Sequence, residues 1–188
     1  MKLGLVLATL VAFVRADPAS ILSIQNTINT YPLAIDSKNF SALSLVFTPD
    51  AVANYSAPLG VLHGLPNIQY ILAKNLAPVT TQHALSTMVV DLGADGTSAR
   101  TKTYYTATHF GHGLSDGQIY VAYGRYEDTL SLTAQGWRIT YRHLIYMVSA
   151  AVRRVAADLR QRLTFILRSV GSQRGQRCYF CKYECDGG

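Results

Sequence analysis

Charge is scarce in this chain of 188 residues: only 15% of them are Asp, Glu, Lys or Arg. Residues 1–149 hold 9 Lys and Arg against 8 Asp and Glu, whereas residues 150–188 hold 8 against 3. Five of the six net positive charges therefore belong to the end of the chain. A near-neutral body lacks the basic footprint of a nucleic-acid binder, so no nucleic-acid partner is expected. Cysteine is scarcer still. Its three copies, Cys178, Cys181 and Cys185, all fall in "CYFCKYEC". No His follows them, and a structural zinc site needs four ligands. They read as one disulfide plus an odd thiol, or as an unstructured end. The chain also lacks a nucleophile elbow, a phosphate loop and a dinucleotide fingerprint. No nucleotide cofactor is expected, and no metal: His63, His109 and His112 have no Cys or carboxylate spaced to complete a site.

Long apolar runs are missing too. The longest stretch at the N-terminus, residues 3–14, is too short to span a bilayer as a helix. It follows Lys2, and Val14 and Ala16 stand where a leader peptidase prefers small residues. Residues 1–16 thus read as a signal peptide, and the mature chain as a secreted, extracellular protein starting at Asp17. Two acceptor triplets, Asn39-Phe40-Ser41 and Asn54-Tyr55-Ser56, fit a glycoprotein. With 49% hydrophobic residues, the rest has enough material for one domain with a real core, residues 17–149.

What is present changes period part-way along. In residues 19–47, Ile21, Ile24, Ile28, Tyr31 and Ile35 recur at steps of three and four, which predicts a helix with one apolar face. Pro32 should kink it, because proline cannot donate to the preceding turn. "FSALSLVF" predicts a second, short helix ended by Pro49-Asp50, "AVANY" a short strand, and "GLPNIQYILAKNL" a third helix. After Pro78 the period becomes two, and four long strands follow, at 79–92, 97–110, 118–132 and 136–148. Helices first and an antiparallel meander afterwards make an α+β fold, with helices on one face of a curved sheet.

Alternation then sorts the side chains. With Arg100 and Lys102 in water, Ala99, Thr103, Tyr105 and His109 share the inner face. With Arg125 and Glu127 outside, Tyr120, Ala122 and Tyr126 face in. With Arg138 and Arg142 outside, Trp137, Ile139, Tyr141 and His143 lie inside or at an interface. On the first long strand His83 travels with Thr81, Leu85, Thr87 and Val89. An inward Tyr55 would leave Asn54 exposed. Two His and several Tyr on the inner face of a curved sheet suggest a pocket for proton transfer. Asp36, after the apolar run Leu33-Ala34-Ile35, is either a helix-end residue or a carboxylate aimed into that pocket.

The stretches "AIDSKNFSALSLVFTPDAVANY", "VTTQHALS" and "GWRITYRHLIYM" resemble the SnoaL-like families of the NTF2-like superfamily, over about residues 18–148. The resemblance implies a cone-shaped α+β barrel around a pocket, which often dimerises through its sheet. Within the superfamily the motif is similar to that of scytalone dehydratase, a fungal polyketide dehydratase. "DSKNF" carries that enzyme's catalytic Asp over to Asp36, the short strand carries its Tyr to Tyr55, and "TQH" and the following strand carry its two His to His83 and His109. The Tyr before the catalytic Asp is Ile35 here, and an Asn of a later strand is Ala122. Tyr31, one helical turn before Ile35, is placed to replace the missing phenol. The implied catalytic set is Asp36, His83, His109 and Tyr55. The implied substrate-binding set is Tyr31, Tyr105, Tyr120, Ala122 and Tyr126.

Two functions follow as expectations. One is a cofactor-free dehydratase or isomerase acting on a small, hydrophobic, polyketide-like or aromatic carbonyl compound. The other is a non-catalytic module that binds a ligand or dimerises through the sheet. Residues 150–188 form a basic extension in which Val152, Val155, Leu159, Leu163, Ile166 and Val170 make a helical stripe; membrane contact through it is not expected.

Overall fold

The computed structural model describes residues 17–147, so the expected signal peptide and basic extension lie outside the described residues. Helix α1, Pro18–Asp36, opens on Asp17, whose carboxylate accepts from the Ala19 and Ser20 backbone N–H groups. These are donors that the first helical turn leaves unpaired. The helix runs on through Pro32, which is buried within it. A short 3-10 turn, Phe40–Leu45, leads into strand β1, Phe47–Asn54. Pro49 thus lies inside a strand and does not end a helix. The pairing between β1 and β6 is irregular between Phe47 and Val52, the place where a residue without an N–H is tolerated.

Strand β2, Val61–His63, helix α2, Leu65–Leu76, and the strands β3 Thr80–Leu92, β4 Ser98–Phe110, β5 Ile119–Thr133 and β6 Gly136–Tyr146 complete the domain. The six strands form one curved sheet in the order β2-β1-β6-β5-β4-β3. β6 runs parallel to β1 and antiparallel to β5, so the sheet is mixed and not a pure meander. It is an open cone, with β2 and β3 as its edges, and not a closed barrel. α1 lies across the concave face against β3 and β6 and buries Ile24, Ile28, Tyr31, Ala34 and Ile35 there. This is the apolar face that the helical spacing predicts. Thr27 anchors the helix by donating its hydroxyl to the Trp137 carbonyl at 3.1 Å.

Register puts the concave side chains in rows across the sheet. Thr81, His109 and Tyr120 form one row, and His83, Ala107 and Ala122 the next. Leu85, Tyr105, Gly124 and Tyr146 follow, then Met88, Thr103, Tyr126 and Leu144, then Val90, Thr101, Asp128 and Arg142. Two bulges displace the alternation expected from the sequence. In β3 the register shifts between Leu85 and Met88, so Met88 and Val90 pack on the core, while Thr87 and Val89 are exposed. In β6 the shift falls between Ile139 and Tyr141. Trp137 and Ile139 point inward as expected, but beyond the bulge Arg142 is fully buried and Tyr141 is 40% exposed. His143 sits opposite Glu127 on the other face, away from Trp137. An extra residue in one strand inverts every side chain after it. Gly124 serves the packing: a Cβ there would lie 2.5 Å from the Ile145 carbonyl oxygen and 2.7 Å from the Tyr105 hydroxyl.

Candidate functional site

Asp36 closes α1, where the helix dipole disfavours negative charge. A carboxylate there needs other partners, and it has three. Its Oδ1 accepts from the Thr81 hydroxyl at 2.8 Å and from His83 Nδ1 at 2.7 Å; its Oδ2 accepts the His83 backbone N–H at 2.7 Å. Asp36 is therefore bonded across to β3 and does not cap its own helix end. Burial pushes its carboxyl upward, but the bonds from the His83 side chain, the His83 backbone and Thr81 outweigh that and hold it below the usual range. An ionised carboxylate only accepts, so His83 Nδ1 must donate. Nε2 of neutral His83 then keeps its lone pair and is a base. The His83 side chain is 8% exposed and that of Asp36 23%, so the pair is sheltered but reachable.

His109 stands on the neighbouring strand, its ring 5.7 Å from that of His83 and nearly perpendicular to it. Burial lowers its pKa first. The His83 ring adds to this, the Tyr120 backbone opposes it, and the Lys38 ammonium lowers it again. A histidine whose folded pKa is depressed contributes stability that is complete above its unfolded pKa of about 6.5 and is lost as pH falls through the folded value. The His109 ring carbon resonances, followed by NMR over pH 4–8, should therefore titrate below about pH 6.5, and thermal stability should fall over the same window. A midpoint at or above the ordinary value would remove the buried, neutral His109.

The tyrosines gather elsewhere. Arg142 is wholly buried and holds Asp128 through Nε–Oδ1 at 2.7 Å and Nη2–Oδ2 at 2.8 Å. Its guanidinium lies 4.2 Å from the ring centres of both Tyr31 and Tyr126. Tyr105 stacks on Tyr126 at 4.4 Å. The layers Tyr31, Arg142, Tyr126 and Tyr105 combine aromatic stacking with cation–π attraction, which desolvation strengthens. Tyr55 is buried with its hydroxyl 3.1 Å from that of Tyr31. Burial, above all, raises its pKa well above the ordinary value, so the phenol stays neutral.

Of the residues expected from the sequence, the structure brings Asp36, His83 and His109 together. It places Ala122 in the row of His83 and Tyr120, whose hydroxyl donates to Gln118, in the row of His109. It places Tyr31, Tyr55, Tyr105 and Tyr126 in or beside the buried layers around Arg142. Sequence reasoning gave no role to Thr81 or to Lys38, whose Nζ donates to the Thr81 hydroxyl at 3.1 Å. The cue was there: in "TTQH" Thr81 precedes His83 by two residues on one strand face, and Lys38 lies in the same "DSK" as Asp36. Among the described residues no group of three His, Cys, Asp or Glu is placed to hold a metal ion.

The SnoaL-like domain model matches residues 18–143. The chain belongs to the SnoaL-like domain family. A relative in sequence is an uncharacterized protein of Mycobacterium tuberculosis, 33% identical over 130 residues, which span 68% of this chain and 85% of that one. Among solved structures, a candidate scytalone dehydratase of Novosphingobium aromaticivorans superposes with a TM-score of 0.63 at 20% identity, covering 73% of this chain and 91% of its own. A hexachlorocyclohexane dehydrochlorinase, LinA type 2, superposes with a TM-score of 0.60 at 16% identity, covering 69% and 86%. At these identities the likeness shows the NTF2-like fold.

Proposed function

We propose that this SnoaL-like protein is a cofactor-free dehydratase or isomerase acting on a small, hydrophobic carbonyl compound of polyketide-like or aromatic character. The observation that carries the reading is the 2.7 Å bond from His83 Nδ1 to Asp36, with His109 facing the same ring. Nε2 of His83 takes the proton from the carbon next to the carbonyl. In a dehydration the bond from the neighbouring carbon to its hydroxyl breaks, a C=C bond forms, and the proton held on His83 leaves with the hydroxide as water. In an isomerisation that proton returns to another carbon. His109, kept neutral by its surroundings, offers a hydrogen bond to the departing or carbonyl oxygen. The neutral Tyr31–Tyr55 pair and the unpartnered, buried Tyr105 hydroxyl supply further donors. Two neighbours in fold bear the names of elimination enzymes, a dehydratase and a dehydrochlorinase, which favours the same chemistry here.

A non-catalytic ligand carrier is the second reading. Ile35 and Ala122 favour it, because they are apolar where the dehydratase motif has Tyr and Asn. The protein is further proposed to be secreted from Asp17 onward and to dimerise through the convex sheet face. There Tyr104, Phe110, Tyr123 and Tyr141 are exposed. A glycan is proposed at Asn54, although that side chain is half-buried and accepts the Ser56 N–H, whereas Asn39 is exposed. One mass-spectrometric experiment tests these points. Under native conditions the protein should appear as a dimer carrying a small organic molecule of carbonyl character. Denatured, each chain should weigh as one starting at Asp17 plus a glycan. A ligand-free monomer that also fails to take up any small aromatic carbonyl compound would sink the pocket reading, and a chain retaining Met1 would sink secretion.

A further inference from the structure

Lys38 stands in the left-handed region with φ of +62°, just past the end of α1. Glycine is the usual residue at that position, and a side chain there carries a conformational cost of about 1 kcal/mol or more. The strained backbone turns the Lys38 side chain back over the helix end, so that Nζ reaches Thr81 on β3. An ammonium has three donors and no lone pair to offer. The Thr81 oxygen must therefore accept from Lys38, and its single proton is left to point at Asp36 Oδ1. Without Lys38 the hydroxyl is free to rotate and give its proton to another acceptor, which leaves Asp36 Oδ1 with one bond fewer.

We infer that Lys38 is a positioning residue: through Thr81 it fixes Asp36 as an ionised acceptor and thereby fixes His83 in the tautomer with Nδ1 protonated and Nε2 free. The inference deepens the acid–base reading of His83 and rests on it for its meaning, but its test needs no substrate. The titratable groups facing this spot are Asp36 on α1, His83 on β3, His109 on β4 and Lys38 itself.

The measurement is nitrogen-15 NMR of the histidine rings in the full chain, for the parent and for Lys38→Met, Lys38→Arg and Lys38→Gly. In Lys38→Met the His83 Nδ1–H should exchange with water about tenfold faster, since one bond to a charged group is worth at least a factor of ten. The population with Nε2 protonated should become visible, and the His109 midpoint should move up because a nearby cation is gone. Lys38→Arg should restore the His109 midpoint. Lys38→Gly relieves the left-handed backbone, so it should melt at or above the parent and still show the His83 changes. That variant keeps the test open if Lys38→Met fails to fold. If His83 exchange and tautomer in Lys38→Gly match the parent, Lys38 is a helix-end residue only. Absence of any turnover, with the His83 changes present, would sink the reaction and leave the role of Lys38 intact.

Discussion

Arg142→Met should destabilise the domain by about 3–5 kcal/mol, because it leaves the Asp128 carboxylate buried without a counter-charge. Both side chains are wholly inaccessible, and the pair is bonded through two parallel contacts. Burial works against the guanidinium, and the Asp128 charge overrides it and raises the Arg142 pKa further. The substitution also empties the slot between Tyr31 and Tyr126, which adds a packing loss to the electrostatic one. Replacing both partners, Asp128→Leu with Arg142→Met, should recover most of the loss, because two apolar groups need no hydrogen bonds. Urea unfolding of the parent, both single variants and the double variant closes the cycle. If Arg142→Met alone unfolds within about 1 kcal/mol of the parent, the pair is not the buried ion pair described here.

The second large effect belongs to the site. On a substrate that the protein turns over, Asp36→Asn and His83→Ala should each lower kcat by about 10²- to 10⁴-fold, the range of a positioned acid or base. The double variant should be scarcely worse than His83→Ala, because without the imidazole the carboxylate has nothing to orient. Asn keeps the shape of Asp36, but its amide nitrogen donates, so it can stabilise the wrong His83 tautomer. Stability should be checked alongside, since Asp36 also holds the Thr81 hydroxyl and the His83 backbone N–H. Losses that multiply across the double variant would mean that the two residues act separately.

Much of this was legible in the sequence, for a physical reason in each case. The spacing of Ile24, Ile28, Tyr31 and Ile35 is a surface pattern, and the helix buries that surface. The "DSK" and "TTQH" motifs brought Asp36 and His83 together across 47 positions because the family resemblance carried the pairing. What failed was alternation across β6. Parity places Arg142 in water, and a single bulge near Thr140 places it in the core. Bulges are set by how two strands fit, which no single strand records. One trace was present: Asp128 falls on the inward parity of β5, with Tyr126, and an inward carboxylate requires a cation opposite. Helix α1 is continuous through Pro32, as the apolar spacing predicts. Pro32 is buried, and the packing of that face holds the helix together across one missing hydrogen bond.

The Thr27 to Trp137 contact joins positions 110 apart in the chain, and the Ser56 hydroxyl reaches the Leu144 carbonyl 88 positions later. A polypeptide leaving the ribosome therefore displays α1, with Asp36 at its tip, long before β6 exists to receive it. Until then the helix has only the β3 side of its seat, and β1 has no parallel neighbour on one side. Closing such long loops is slow, because the entropy is lost before the contacts are gained. Completion of the seat for α1 thus waits for the final stretch of the domain to be synthesised. Nascent chains halted before β6 would be the sticky species that a cell must shield.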